Sequence, residues 1–243
     1  MKQLIKKYFE RFGYEILKKE PTINSFAAQQ KLLKSIVNPV IFDVGAHHGQ
    51  TALEYSNLFP LAKILSFEPF KDSFKILEAN TPRIKNFNAY NFALGNYDGI
   101  SEMNINNSTA TNSILSTDDK AYDLWGKNLL ETQTKVAIEI VTLDSFIQKN
   151  SINRIDVLKL DTQGSEYLII EGAKNAIKNN KIKLVYTEII TVPTYNKQKA
   201  LDEILYLFRN HGFLLYNFYN PATINNKLMQ LDAIFIHESF SID

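Results

Sequence analysis

From residue 39 onward, short apolar segments alternate with longer amphipathic ones. Apolar runs of this kind are typical of buried strands, and the amphipathic segments between them are typical of helices. The strand candidates lie at 40–42, 63–67, 87–92, 156–160, 183–188, 213–218 and 231–236. Strands that are separated by helices form a parallel sheet with helices on both faces, so the pattern predicts an α/β fold. The last two strands follow each other without a helix, which predicts an antiparallel edge strand.

Residues 1–38 differ from this alternation and look helical. Apolar residues recur at helical spacing up to Pro21, and a second short helix is predicted at about Phe26 to Ile36. We interpret residues 1–38 as an N-terminal helical cap on a main domain of residues 39–243. A basic membrane-surface helix is the alternative, because residues 1–20 hold six Lys or Arg against three Glu.

An insert at about 96–141 also interrupts the alternation. Two strand-like segments, Ile100 to Ile105 and Val136 to Val141, flank a polar stretch rich in Asn, Ser and Thr. Long loops inside compact domains are usually functional or mobile. We therefore predict an inserted hairpin whose loop, at 107–134, covers an active site.

Composition excludes several classes of function. The chain has no cysteine, which rules out disulfides, thiolate metal sites and cysteine nucleophiles. Its formal net charge of +1 argues against nucleic acid as a partner held by bulk charge. No segment approaches the roughly 20 apolar residues that span a bilayer, and the charged N-terminus is not a secretory signal. We expect a cytoplasmic protein with no transmembrane segment.

The segment DVGAHHGQT, from Asp43 to Thr51, lies where the first strand turns into a helix. Open α/β sheets bind ligands at such turns, beyond the carboxyl ends of their strands. Neither the dinucleotide motif G-x-G-x-x-G nor the phosphate-binding motif G-x-x-x-x-G-K-[ST] is present, since Gln50 stands where the latter needs Lys. A carboxylate at Asp43 suits a cationic group instead, such as the ammonium of S-adenosylmethionine.

Glu68 directly follows the second strand and is the second acidic residue of the predicted cofactor site. A carboxylate at this place can accept hydrogen bonds from both ribose hydroxyls of a cofactor, including NAD. Helix N-capping is the plainer interpretation of both acids. After the third strand, small residues would let the backbone contact an adenine. The predicted cofactor-binding residues are Asp43, Gly45, Ala46, His47, Gly49, Thr51, Glu68, Pro69, Ala93 and Leu94.

These motifs together resemble the FkbM family of S-adenosylmethionine-dependent methyltransferases. The likeness rests on IFDVGAHHGQT, LSFEPF, NFALGNYDG, TLDSF and DVLKLDTQGSEYLIIEGA, in this order, and spans about residues 39–190. It implies a Rossmann-like class I methyltransferase fold, a seven-stranded, mostly parallel sheet with an antiparallel last strand. It also implies O-methylation of hydroxyl groups on sugars or polyketide-type natural products. His47 departs from the family pattern, since many members have Asn there.

Methyl transfer to a hydroxyl needs a base to take the hydroxyl proton. Asp161 ends an apolar strand beside the predicted crevice and is the first candidate for this base. Glu188, which ends the next strand, is a second candidate base or a sugar ligand. Glu166 either binds substrate hydroxyls or favours a helix N-terminus. The three carboxylates could hold Mg²⁺ instead, but the family resemblance disfavours a metal.

The inserted loop offers candidate acceptor contacts. Asn112 and Ser113 carry short hydrogen-bonding groups, and Trp125 offers a ring on which a sugar could stack. The alternative is a disordered polar loop that Trp125 anchors to the core.

Two other functions fit the same residues less well. A nicotinamide-dependent oxidoreductase would need a third glycine, which is missing. A non-catalytic cofactor-binding scaffold would not need the acidic residues Asp161, Glu166 and Glu188. The expected partner is a small-molecule or glycan acceptor. A homodimer or a glycosyltransferase partner is left open.

Overall fold

The computed structural model describes residues 24–240, within which the chain forms ten strands and nine α-helices. The strands are β1 (Val40–Val44), β2 (Lys63–Phe67), β3 (Phe87–Tyr90), β4 (Ala93–Gly95), β5 (Gly99–Asn106), β6 (Thr132–Thr142), β7 (Ile155–Leu160), β8 (Ile182–Ile190), β9 (Phe213–Ile224) and β10 (Lys227–His237). The helices are α1 (Ser25–Leu32), α2 (Gln50–Leu58), α3 (Lys71–Asn80), α4 (Ala121–Trp125), α5 (Lys127–Leu130), α6 (Leu143–Lys149), α7 (Glu166–Glu171), α8 (Lys174–Lys178) and α9 (Leu201–Asn210).

Seven strands form the main sheet in the order β3-β2-β1-β7-β8-β10-β9. The first five are mutually parallel, and β10 runs antiparallel to both β8 and β9. The predicted seven-stranded sheet with an antiparallel last strand is confirmed. The sheet is covered on both faces: Phe42 and Val44 of β1 lie in one apolar cluster, and Ile41 lies in the other.

The predicted antiparallel edge is formed by β9, which pairs antiparallel with β10. Strand β10 itself is internal. The cause lies in burial: Ala233 and Phe235 of β10 join one apolar cluster, while Ile234 joins the other. A strand that is apolar on both faces gains most in the interior of a sheet, whereas β9 keeps Leu214 and Phe218 exposed.

Two short helices, α7 and α8, follow β7 in place of one continuous helix. Gly172 lies between them against β4, where an added Cβ would come within 1.9 Å of the Gly95 carbonyl oxygen. Helix α8 then begins anew, because the Asp144 carboxylate accepts hydrogen bonds from the backbone of Asn175 and Ala176, each at 2.8 Å. Such a side-chain cap satisfies N–H groups that a helix start leaves unpaired.

Helix α1 packs against the main sheet. The Asn24 side chain caps it by accepting from the Ala27 N–H at 2.7 Å. The Phe26 ring meets the rings of Tyr55 and Tyr186 edge to face, with centroids 5.3 and 5.7 Å apart. The helix predicted before Pro21 lies outside the described residues, and the division into a cap at 1–38 and a domain at 39–243 stays a prediction.

The predicted insert is a hairpin of β5 and β6, which pair antiparallel from Gly99↔Ile140 to Asn106↔Thr132. Strand β4 pairs with β6, so the small residues that follow the third strand belong to a second, three-stranded sheet. The connection between β5 and β6 folds back towards the main sheet through a short 3-10 turn at Thr109–Thr111.

Candidate active site

A cavity of about 450 Å³ opens beyond the carboxyl ends of the parallel strands. This is the edge at which open α/β sheets bind ligands. Most of the predicted cofactor-binding residues line it: Gly45, Ala46, His47, Thr51, Glu68, Pro69, Ala93 and Leu94. The lining does not include Asp43 or Gly49. At Gly49, an added Cβ would approach the Leu77 side chain at 2.8 Å, so this glycine brings the turn close to α3.

The turn after β1 is held close to β7. Gly45 has a φ of 75°, and an added Cβ would come within 1.8 Å of the Asp161 carbonyl oxygen. The N–H groups of Gly45 and Ala46 both donate to the carbonyl of Phe67, each at 3.0 Å. Only a residue without a side chain fits here, because both the left-handed backbone and the neighbouring strand exclude a Cβ.

Glu68 lies at the cavity with both carboxylate oxygens already receiving hydrogen bonds. One oxygen accepts from the His47 N–H at 2.8 Å and the other from the Phe70 N–H at 2.9 Å. Burial raises the pKa of Glu68 to about 7, although these two N–H groups oppose the shift. The carboxyl therefore joins the turn after β1 to the start of α3 and also borders the ligand space.

Asp43 is fully buried and pairs with a cation of the chain itself. The Lys159 ammonium lies 3.1 Å from its Oδ1, and Ser66 donates to its Oδ2 at 3.3 Å. Lys159 also donates to the Gly45 carbonyl at 3.0 Å and lies 3.6 Å from Asp161 Oδ2. Direct binding of a cofactor ammonium by Asp43 stays a prediction; what the structure shows is a buried ion pair that fixes the glycine turn.

Burial alone would lower the pKa of Lys159. The carboxylates of Asp43 and Asp161 outweigh that effect and raise its pKa above the ordinary value. The ammonium is therefore charged and joins β1 to β7 beneath the cavity.

Asp161 and Glu188 lie together on the cavity, joined by the amide of Gln163. The Gln163 Nε2 donates to Asp161 Oδ1 at 3.1 Å and to Glu188 Oε2 at 3.0 Å. The Tyr195 hydroxyl lies 3.0 Å from the Gln163 Oε1 and fixes the orientation of the amide. Gln230 donates to the other oxygen of Glu188 at 2.8 Å.

The two carboxyl groups have unequal environments. Burial, reinforced by the carboxylates of Asp161 and Glu166, raises the pKa of Glu188 well above its usual range. The Asp161 side chain keeps 39% of its surface exposed. Pairs of carboxyl groups in such unequal environments are typical of acid–base sites.

Glu166 does not line the cavity and closes the turn after β7. Its Oε1 accepts from the Thr162 N–H at 2.7 Å, the Thr162 hydroxyl at 3.1 Å and the Gly164 N–H at 3.3 Å. Burial raises the pKa of this carboxyl. Of the two roles left open for Glu166, these contacts support the structural one, at the N-terminus of α7, and its catalytic role stays a prediction.

Residues 109–114 form a strap across the cavity. At one end, His47 Nε2 lies 2.9 Å from the Thr109 hydroxyl. At the other end, the Ser113 hydroxyl donates to the Gln163 carbonyl at 2.8 Å, and the Tyr195 hydroxyl lies 3.0 Å from the Thr111 carbonyl. The strap thus joins the turn after β1 to the turn after β7.

Asn112 is the residue of this strap with a free hydrogen-bonding group. Its Oδ1 accepts from the Asn106 N–H at 2.9 Å, whereas its Nδ2 is buried and has no partner among residues 24–240. A buried donor without a partner is costly, and a ligand can satisfy it. Asn112 and Ser113 both line the cavity; their assignment to the acceptor stays a prediction.

Trp125 lies outside the cavity lining. Its Nε1 donates to the Thr194 hydroxyl at 2.8 Å, and its ring packs beside Val192 and Tyr195. These contacts correspond to the anchoring role considered for Trp125, and its contact with the acceptor stays a prediction.

Sequence reasoning assigned no role to Lys159, Gln163, Tyr195 or Gln230. One signal was available: Lys159 interrupts the apolar run of a buried strand, and a lysine there is rarely buried without a partner. Tyr195 and Gln230 reach the site from distant parts of the chain, and no local pattern marks them.

Comparisons with known proteins match the part of the chain that forms most of this site. The family described as the methyltransferase FkbM domain matches residues 43–215, which hold both acidic turns and all residues that line the cavity except Gln230. The chain belongs to the FkbM methyltransferase family. It is therefore an S-adenosylmethionine-dependent methyltransferase, which decides against the oxidoreductase and the non-catalytic scaffold.

Three relatives of this FkbM methyltransferase are themselves named as methyltransferases. The chain is 26% identical over 69% of its length to the 2-O-methyltransferase NoeI of Sinorhizobium fredii, covering 70% of that protein. It is 24% identical to the 31-O-demethyl-FK506 methyltransferase FkbM of Streptomyces tacrolimicus, with 80% of each chain covered. It is 22% identical to the hexuronic acid methyltransferase AglP of Haloferax volcanii, covering 86% of this chain and 84% of the relative.

The cavity of this FkbM methyltransferase fits its cofactor. The unpartnered Nδ2 of Asn112 and the carboxyl of Glu68 offer a donor and an acceptor to a polar ligand.

Among residues 24–240, no group of three or more His, Cys, Asp or Glu side chains is arranged to hold a metal ion. Over the same residues, no helix is long and apolar enough to cross a membrane.

Proposed function

We propose that this methyltransferase methylates a hydroxyl group of a sugar, a glycan or a related polyhydroxylated compound. The observation that carries the proposal is the placement of Asp161, the most open of the three predicted catalytic carboxyl groups, on the cavity beside Glu188 and Gln163. The relatives support it, since their names include a 2-O-methyltransferase and a hexuronic acid methyltransferase.

S-adenosylmethionine supplies an electrophilic methyl group when it is bound. Glu68 would accept hydrogen bonds from ribose hydroxyls, and the backbone at Ala93 and Leu94 would border the adenine. The Nδ2 of Asn112 would donate to the molecule in the cavity, and His47 would hold the strap closed through Thr109.

Asp161 is the base of the proposed reaction. It would accept the proton of the acceptor hydroxyl as the oxygen bonds to the methyl carbon and the bond from that carbon to the cofactor's sulfur breaks, leaving S-adenosylhomocysteine. Burial and its acidic neighbours raise the pKa of Glu188, so this carboxyl takes up a proton more readily than an exposed glutamate does and is the polar neighbour of the base. Gln163 keeps the two carboxyl groups in fixed positions.

The test compares Asp161→Asn with the unchanged protein. We expect calorimetric affinity for S-adenosylhomocysteine to be kept, while transfer of a labelled methyl group to a glycan panel falls by about 10²–10⁴-fold. Asp202→Asn, an exposed change on α9, is the matched control and should keep full turnover. Full turnover by the Asp161 variant would remove Asp161 as the base.

A homodimer, a glycosyltransferase partner and a cytoplasmic location stay predictions from the sequence.

A further inference from the structure

A second cavity of about 200 Å³ adjoins the first one. Both cavities are lined by Gln50, Thr51, Lys159, Asp161 and Glu188. The two spaces therefore meet at the proposed base. A group bound in the second cavity can present a hydroxyl to Asp161 from the side away from Ala93 and Leu94.

Two aromatic rings form walls of this second cavity. Phe26 comes from α1 and Tyr186 from β8, and each lines the space. The Tyr186 hydroxyl donates to Asp232 Oδ2 at 2.6 Å and accepts from the Ser25 hydroxyl at 3.1 Å. These bonds hold the Tyr186 ring, against which the Phe26 ring packs edge to face, and both rings can contact the C–H groups of a sugar ring.

The polar groups of the second cavity are mainly carboxyl groups. Glu54, Asp161, Glu188 and Asp232 line it. Lys159 is the one cation among the described residues that line it, and its side chain is only 6% exposed and already faces Asp43 and Asp161. Carboxyl oxygens accept hydrogen bonds from hydroxyl groups, whereas an anionic ligand would meet repulsion without a free cation to offset it.

We propose that the second cavity binds the acceptor and that the ring it takes is an uncharged sugar. This inference rests on the proposed function and deepens it. Phe26 and Tyr186 contact the ring, Glu54 and Asp232 accept hydrogen bonds from its hydroxyl groups, and the reacting hydroxyl lies at Asp161. A uronic acid or a phosphorylated sugar is excluded at this ring by the carboxyl groups.

The experiment uses the full chain saturated with S-adenosylhomocysteine and a panel of nitrophenyl glycosides. The panel pairs neutral hexosides and 6-deoxyhexosides with the matched uronides, and saturation-transfer NMR reports binding. We expect at least one neutral glycoside to bind and its uronide not to bind. Binding of the uronides alone, or of no neutral glycoside, would overturn the proposal.

Variants then test the walls and the charge. Phe26→Leu should weaken binding of the neutral glycoside by about three- to tenfold, whereas Tyr206→Leu, an exposed aromatic change on α9, should not. Glu54→Lys, at an exposed position, should let the uronide bind. Equal binding by Phe26→Leu and the unchanged protein, or no uronide binding by Glu54→Lys, would contradict the assignment.

Calorimetry with S-adenosylhomocysteine on each variant separates the two hypotheses. A protein that fails to bind S-adenosylhomocysteine contradicts the proposed function itself. If S-adenosylhomocysteine binds normally but the Phe26 and Glu54 variants bind glycosides as the unchanged protein does, only the assignment of the acceptor site is contradicted. Retained S-adenosylhomocysteine affinity also shows that Phe26→Leu is folded.

Discussion

The buried pair of Asp43 and Lys159 gives the sharpest prediction about stability. The Asp43 side chain is fully buried and that of Lys159 is 6% exposed, with 3.1 Å between the charged atoms. Removing one partner of such a pair leaves an uncompensated buried charge, which costs about 3–5 kcal/mol. We expect the cost of Asp43→Asn to lie near the lower end of this range, because the Lys159 ammonium keeps its contacts with the Gly45 carbonyl and the Asp161 carboxylate.

Lys159→Met should cost more of the free energy of unfolding than Asp43→Asn. It leaves the buried carboxylate with only the Ser66 hydroxyl at 3.3 Å. The double variant Asp43→Asn/Lys159→Met should cost less than the sum of the two single changes, since neither charge is then left alone.

Equilibrium urea unfolding at pH 7 measures these differences. The matched control is the exposed pair of Lys199 and Glu203, at 2.9 Å, where Lys199→Met should cost far less than Lys159→Met, because solvent screens exposed charges. A cost for Lys159→Met as small as that of the control, or strict additivity in the double variant, would refute the reasoning.

Three further predictions concern single residues. Because the pKa of Glu68 is raised to about 7, this group binds more protons in the folded than in the unfolded protein between pH 4.5 and 7. Its contribution to the free energy of unfolding therefore falls as pH rises through that window. Glu68→Gln should remove this part of the pH dependence measured by urea unfolding. Tyr195→Phe should lower turnover by about three- to tenfold and shift the pH profile of turnover, because the Gln163 amide loses its hydroxyl partner. The affinity for S-adenosylhomocysteine should be unchanged, and an unchanged pH profile would contradict this prediction. Gly172→Ala should destabilise the fold by about 1–3 kcal/mol in urea unfolding, because its Cβ would meet the Gly95 carbonyl at 1.9 Å; a neutral result would show that α7 can move.

Much of the fold could be predicted from local patterns. The apolar segments at 63–67 and 156–160 became strands at almost the predicted bounds, because a buried parallel strand needs a continuous apolar run. The insert at 96–141 became a hairpin, since its two strand-like segments have complementary lengths. The break between α7 and α8 could not be predicted, because it depends on Asp144 and Gly95 from other elements.

The candidate site was predictable where its residues follow strands directly. Glu68 and Asp161 lie on the cavity because the carboxyl ends of neighbouring parallel strands meet at one edge of the sheet. Asp43 follows the same rule in sequence, but its side chain turns to Lys159 and away from the cavity lining. Strand position fixes the edge at which a side chain lies, whereas its partner depends on what the adjacent strand carries.

The alternation of strands and helices, the family and the acidic turns could be recognised from the amino acids alone, because these depend on residues close together along the chain. Three features arise only from tertiary packing: β10 is internal, Gln163 joins Asp161 to Glu188, and Phe26 reaches the second cavity. These features join residues that are far apart in the chain. Their free energies come from burial and hydrogen bonds that exist only once the sheet has formed, so no periodic signal in the sequence records them.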